Sequence, residues 1–126
     1  MKGRKPASIV SDRDALASAP RPPTWLSKDA KAEWKRIMPL LIERRVITDA
    51  DMGSVENYCV SIGRVREIER MIRAAGTVDP ALFRMQDKAT QTARQLAAEL
   101  GLTPVSRSRP SVRNDDDDDD LSPLAL

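Results

Sequence analysis

The chain has 126 residues, 40% of them apolar and 3% aromatic, with one cysteine and no histidine. That composition fits one small domain with tails, and it excludes most zinc sites, histidine-based acid–base catalysis and any intrachain disulfide. The formal charge of +2 hides an asymmetry: Asp115–Asp120 is an unbroken run of six aspartates, and without it the rest carries +8, so a basic body is tied to an acidic tail.

Residues 1–24 are predicted as an extended or disordered arm. It opens on MKGRKP, with Lys2, Arg4 and Lys5, and closes on Pro20-Arg21-Pro22-Pro23. Proline lacks the N–H and disfavours helix in the residue before it, so this stretch reads as a linker. MKGRKP leads into no signal-peptide core, and no apolar run is long enough for a membrane span.

Residues 25–103 read as a helical core. Ser27 caps a first helix, in which Trp34, Ile37, Met38, Leu41 and Ile42 recur at threes and fours and so share a face. Pro39 falls inside that pattern and is expected to kink or divide the helix, which ends near Arg44–Arg45. Thr48 then caps a second helix, with Asp49 and Asp51 beside the positive end of its dipole. Its seam is Met52, Val55, Cys59, Ile62, Val65, Ile68 and Ile72, running to Gly76. As one helix, Asp49 to Ala75 spans ~40 Å.

Asp79-Pro80 starts a third helix, with aspartate as cap and proline in the first turn. Leu82, Met85, Ala89, Ala93, Leu96 and Leu100 form its seam, and Gly101 ends it. The short link Gly76–Val78 predicts an antiparallel hairpin of helices two and three. The fold class is therefore all-α. The seams are long for so small a chain. Met52, Val55, Cys59, Ile62, Ile68, Ile72, Leu82, Ala89, Ala93 and Leu96 are the candidate contacts with further copies.

Residues 104–126 form a basic segment and an acidic-hydrophobic tail. Thr103-Pro104 can open one more helical turn. Arg107, Arg109 and Arg113 follow, and with Lys2, Arg4 and Lys5 they make two cationic clusters suited to nucleic-acid phosphates. Leu121, Leu124 and Leu126 after the aspartates resemble a peptide that docks on a basic, grooved partner, or folds back on the protein's own arginines. Arg64, Arg66, Arg70 and Arg73, interleaved with Glu67 and Glu69, read as a salt-bridged face. Glu33, Glu43 and Glu56 read as solvated helix charges, and Cys59 as a buried structural thiol. No catalytic set, Gly-rich phosphate loop, metal site or cofactor site is expected. Scarce aromatics disfavour base stacking on single strands.

The order of these motifs resembles one family. MKGRKP, then PPTWLSKDAKAEWKRIMPLLIERRVITDADMGSVENYC, then AAELGLTPVSRSR are similar to phage terminase small subunits over most of residues 1–109, with a shorter link at Gly76–Asp79 than many members carry. The resemblance implies a non-catalytic ring of identical copies. Its partners are double-stranded viral DNA at the packaging site and the large ATPase–nuclease subunit. It implies a place in the host cytoplasm during phage assembly and not in the mature virion. Leu121, Leu124 and Leu126 are then the candidate large-subunit contacts. A DNA-binding regulator without a motor partner and a purely structural helical assembly protein are the alternatives.

Overall fold

A computed structural model of the chain describes residues 14–106. Among them stand three α-helices and no strand: α1 (Lys28–Arg44), α2 (Met52–Ala75) and α3 (Pro80–Glu99).

Local chemistry sets each boundary. The Ser27 hydroxyl accepts the Ala30 N–H at 3.1 Å and opens α1, satisfying one of the free donors of the first turn. Arg45 closes it in the left-handed region, φ 58°, with its N–H on the Ile42 carbonyl at 3.0 Å. Pro39 does not divide α1. It and Lys35, whose carbonyl loses a donor to the ring, are both exposed, so water can replace the missing bond. Fully buried Ile37, Met38 and Leu41 keep the turns on either side seated.

Thr48 and Asp51 bracket the next start. One Asp51 carboxylate oxygen accepts both the Thr48 N–H at 2.9 Å and the Thr48 hydroxyl at 3.0 Å. A 3-10 turn, Asp49–Asp51, lies between that cap and α2. The left-handed site at Gly76, φ 71°, ends α2, a conformation that costs a side-chain-bearing residue. The Asp79 carboxylate caps α3 through the Ala81 N–H at 3.0 Å.

The middle element is α2, with α1 packed on it and α3 packed on it. Leu26, Ala30, Trp34, Ile37, Met38 and Leu41 meet Ile47, Val55, Tyr58 and Cys59, and Ala93 and Leu100 join from the α3 side. The approach of α1 is close. A Cβ on Gly63 would lie 3.0 Å from Ser27 Oγ and 3.1 Å from the Ala30 nitrogen, so the first turn of α1 rests against that glycine. On the other side, Gln86 of α3 donates to the Val65 carbonyl at 3.3 Å and to the Glu69 carboxylate at 2.9 Å. Every residue from Arg73 to Ala81 is exposed, so the core is confined to the portion of α2 that carries α1.

Candidate nucleic-acid and partner interface

The two ends of the described chain are fastened to one place. The Leu16 N–H donates to the Ile47 carbonyl at 2.9 Å, just past α1. The Arg44 guanidinium, in the last turn of α1, donates to the Gly101 carbonyl. Gly101 takes φ 75°, and the Leu102 N–H returns to the Ala97 carbonyl at 2.8 Å. Thr103 and Ser106 then cap each other: the Ser106 N–H donates to the Thr103 hydroxyl at 3.0 Å, and the Thr103 N–H to the Ser106 hydroxyl at 3.1 Å. Pro104–Ser106 is the helical turn expected there, with Ser106 buried. The Trp34 indole N–H holds the Pro20 carbonyl at 2.9 Å. The proline-rich stretch and the post-α3 turn therefore both lie fixed on the body. The predicted DNA contacts Lys2, Arg4, Lys5, Arg107, Arg109 and Arg113 lie outside the described residues, as do Leu121, Leu124 and Leu126.

The contact between α1 and α2 is tied by a carboxylate of a kind ordinarily solvated on a helix. Glu33 is 1% exposed. It accepts from Arg36 Nε at 3.0 Å and Arg36 Nη2 at 2.6 Å, from the Tyr58 hydroxyl at 2.6 Å and from Arg66 Nη2 at 2.9 Å. Burial alone would push its carboxyl up, but the hydrogen bonds from Arg36 and Tyr58 and the charges of Arg36 and Arg66 outweigh it and hold it below the usual range. Burial, then the bond to Glu33, pushes the Tyr58 phenol up to about 12. Cys59 is fully buried and its thiol is likewise pushed up to about 12, by burial first and then by the Glu33 charge, so it is inert at neutral pH.

The basic face of α2 is salt-bridged, with partners mainly on α1. Arg66 pairs with Glu33, Arg70 with Asp29, and Arg73 with Glu69 at 3.0 Å. The hydrogen bond from Arg70 leads in holding the Asp29 carboxyl low. Arg64 takes part in none of these pairs. It lines an open groove of about 400 Å³ between α2 and α3 with Ser61, Ile68, Met85, Lys88, Ala89 and Thr92. A second groove, between Tyr58, Ile62 and Val65 of α2 and Thr90, Ala93, Arg94 and Ala97 of α3, is mostly apolar.

Of the candidate copy contacts, Val55 and Cys59 are fully buried within the single protomer, whereas Ile68 and Ala93, 7% and 5% exposed, each show an edge in a groove between α2 and α3. Met52, Ile62 and Leu96 are partly buried against the same core, and Ile72, Leu82 and Ala89 are half-buried. Large apolar side chains left in water lie elsewhere and are spread over the molecule: Trp25, Leu40, Val46, Met71, Val78, Phe83, Met85 and Val105, with Val78 73% and Met85 54% exposed. Among the described residues no cluster of three or more acidic, cysteine or histidine side chains could hold a metal ion, and no helix is long and apolar enough to cross a membrane.

Glu33, Tyr58 and the Arg64–Lys88 pair do not stand out in the sequence as an arrangement. Glu33 carries one usable signal, because it stands three residues after Ala30 and four before Ile37, on the buried stripe itself. A comparison with family models matches residues 30–117 to one described as phage terminase, small subunit. No curated protein and no solved structure matches.

Proposed function

The chain belongs to the phage terminase small subunit family, and from that premise we propose that it is a non-catalytic subunit that binds viral double-stranded DNA at the packaging site and regulates the large ATPase–nuclease subunit. The observation that carries the reading is the common fastening of the two chain ends. Leu16 on Ile47 and Arg44 on Gly101 bring the stretches that continue to Lys2, Arg4 and Lys5 and to Arg107, Arg109 and Arg113 to the same corner of the helices. Two cationic clusters issuing from one corner can engage one duplex together.

The proposal includes a closed ring of identical copies, built on α2 and α3 as an antiparallel hairpin. Exposed Met71, Val78 and Phe83, half-buried Ile72, and the apolar groove at Ile62 and Val65 support association, because each leaves apolar surface in water that a second copy could cover. Repeating the arginines around such a ring turns weak phosphate contacts into firm binding. Leu121, Leu124 and Leu126 serve the large subunit, in the host cytoplasm during assembly and not in the mature virion.

The test is a salt series on double-stranded DNA with Arg107→Ala/Arg109→Ala. Removing one phosphate partner lowers the salt slope by roughly 0.9, so the double variant is expected to bind more weakly with a slope shallower by roughly 1.8 per protomer engaged. Unchanged affinity and slope would overturn the assignment of these arginines to DNA. Native mass spectrometry tests the ring: a dimer bound to one short operator would favour the regulator without a motor partner.

A further inference from the structure

The groove between α2 and α3 at Arg64 and Lys88 is not used by the proposed function. Its floor is apolar, from Ile68, Met85 and Ala89, and its lining carries two cations and no carboxylate. Arg64 and Lys88 are exposed and make no ion pair among the described residues, and exposed Arg84 stands one turn before Lys88 on α3. A ligand for this surface must bring negative charge and grease in close succession.

We propose that the groove holds the chain's own segment Asp115–Leu126, as an intramolecular clasp. That segment is DDDDDDLSPLAL, six negative charges followed directly by Leu121, Leu124 and Leu126. The aspartates meet Arg64, Lys88 and Arg84, and the leucines cover Met85 and Ala89. The reach is sufficient. Thr103 shares a surface depression with Gln91, Arg94 and Gln95 of α3, and Gln91 is one turn along from Lys88. From Leu100 back to Lys88 the helix measures roughly 18 Å, whereas the eight residues 107–114 can extend over roughly 26–29 Å. The ionic part weakens with salt and the apolar part does not.

The clasp makes the tail's leucines conditional. While they cover the groove they are withheld from any other protein, and Arg64 and Lys88 are withheld from phosphates. A partner that takes the leucines frees those two cations in the same act.

The test uses the full chain and neither DNA nor the large subunit, so its outcome is independent of the packaging proposal. A nitroxide is attached at Ser122→Cys, which is selective because Cys59 is buried and its thiol is pushed up to about 12. The expected result is loss of amide signal intensity confined to Ser61–Ile68 and Met85–Thr92 at low salt. That loss should shrink at high salt and vanish in Arg64→Gln/Lys88→Gln, with the rest of the spectrum unchanged. Uniform or absent broadening overturns the clasp. In a mixture of isotope-labelled chain and spin-labelled, unenriched chain, broadening as strong as in the single species would place the tail on a second copy and overturn the intramolecular assignment. Groove resonances that move with added DNA while ignoring the nitroxide would give the groove to nucleic acid.

Discussion

Replacing Glu33 with glutamine keeps the volume and removes the charge on which four donors converge: two from Arg36, one from Tyr58 and one from Arg66. The arginine side chains are 58% and 41% exposed, so both can turn to water, and each such pair is worth ~0–1 kcal/mol. The Tyr58 hydroxyl is different. Tyr58 is 5% exposed and shares one Glu33 oxygen with Arg36 Nη2, while Arg36 Nε and Arg66 share the other; glutamine keeps only one acceptor oxygen and turns an NH2 on the other donors, and a buried donor left facing it costs ~1–3 kcal/mol. Together these give a loss of about 2–4 kcal/mol for Glu33→Gln, or a fall in Tm of about 10–25 °C for a domain of this size. Urea unfolding of both proteins at equal concentration reads it, because association would otherwise shift the midpoint. The pH dependence is a second reading. Glu33 is held low in the folded state, so its contribution is complete above the ordinary carboxylate range and is lost as the pH falls through that range and below. The variant's acid limb should therefore be shallower. A loss under about 0.5 kcal/mol, the range of ordinary surface changes, with an unchanged acid limb would refute the view that Glu33 anchors α1 to α2.

Three further outcomes follow from the same architecture. Gly63→Leu should cost about 1–3 kcal/mol in thermal unfolding, since the Ala30 backbone nitrogen already stands 3.1 Å from a Cβ at that position; a neutral result would mean that α1 yields freely there. Cys59 should resist a thiol reagent at neutral pH in the folded protein and react fully in urea; rapid labelling of the native chain would show that the α1–α2 seam opens. Arg44→Ala should speed amide exchange at Leu102 and Ser106 while leaving α2 protected, because it removes the side-chain bond to Gly101; equal exchange in both proteins would assign that turn's order to its Thr103–Ser106 caps alone.

Helix existence and ends are legible in the sequence because they rest on local chemistry. Ser27, Thr48, Asp79, Gly76 and Gly101 act at the boundaries expected of them. The seams are legible as periodicity, but periodicity does not say which partner covers a residue. Val55 and Cys59 are covered by the protomer itself, whereas Met71 and Phe83 stand in water. Of the kink or division expected at Pro39, the division does not occur, because buried Ile37, Met38 and Leu41 hold α1 continuous across it. The place of Glu33 on the buried stripe between Ala30 and Ile37 is legible, but the partners that let a carboxylate stay there are not, because Arg66 and Tyr58 lie 33 and 25 residues away. No local rule carries that information.

The bond between the Trp34 indole and Pro20, with Leu16 held on Ile47, shortens a tether. Fully extended, residues 1–23 cover roughly 80 Å and residues 1–15 roughly 50 Å, so an anchor at Leu16 rather than at Thr24 shortens the longest possible reach to Lys2, Arg4 and Lys5 by roughly 30 Å. The two bonds thus set the farthest point from Ile47 at which those three cations can lie.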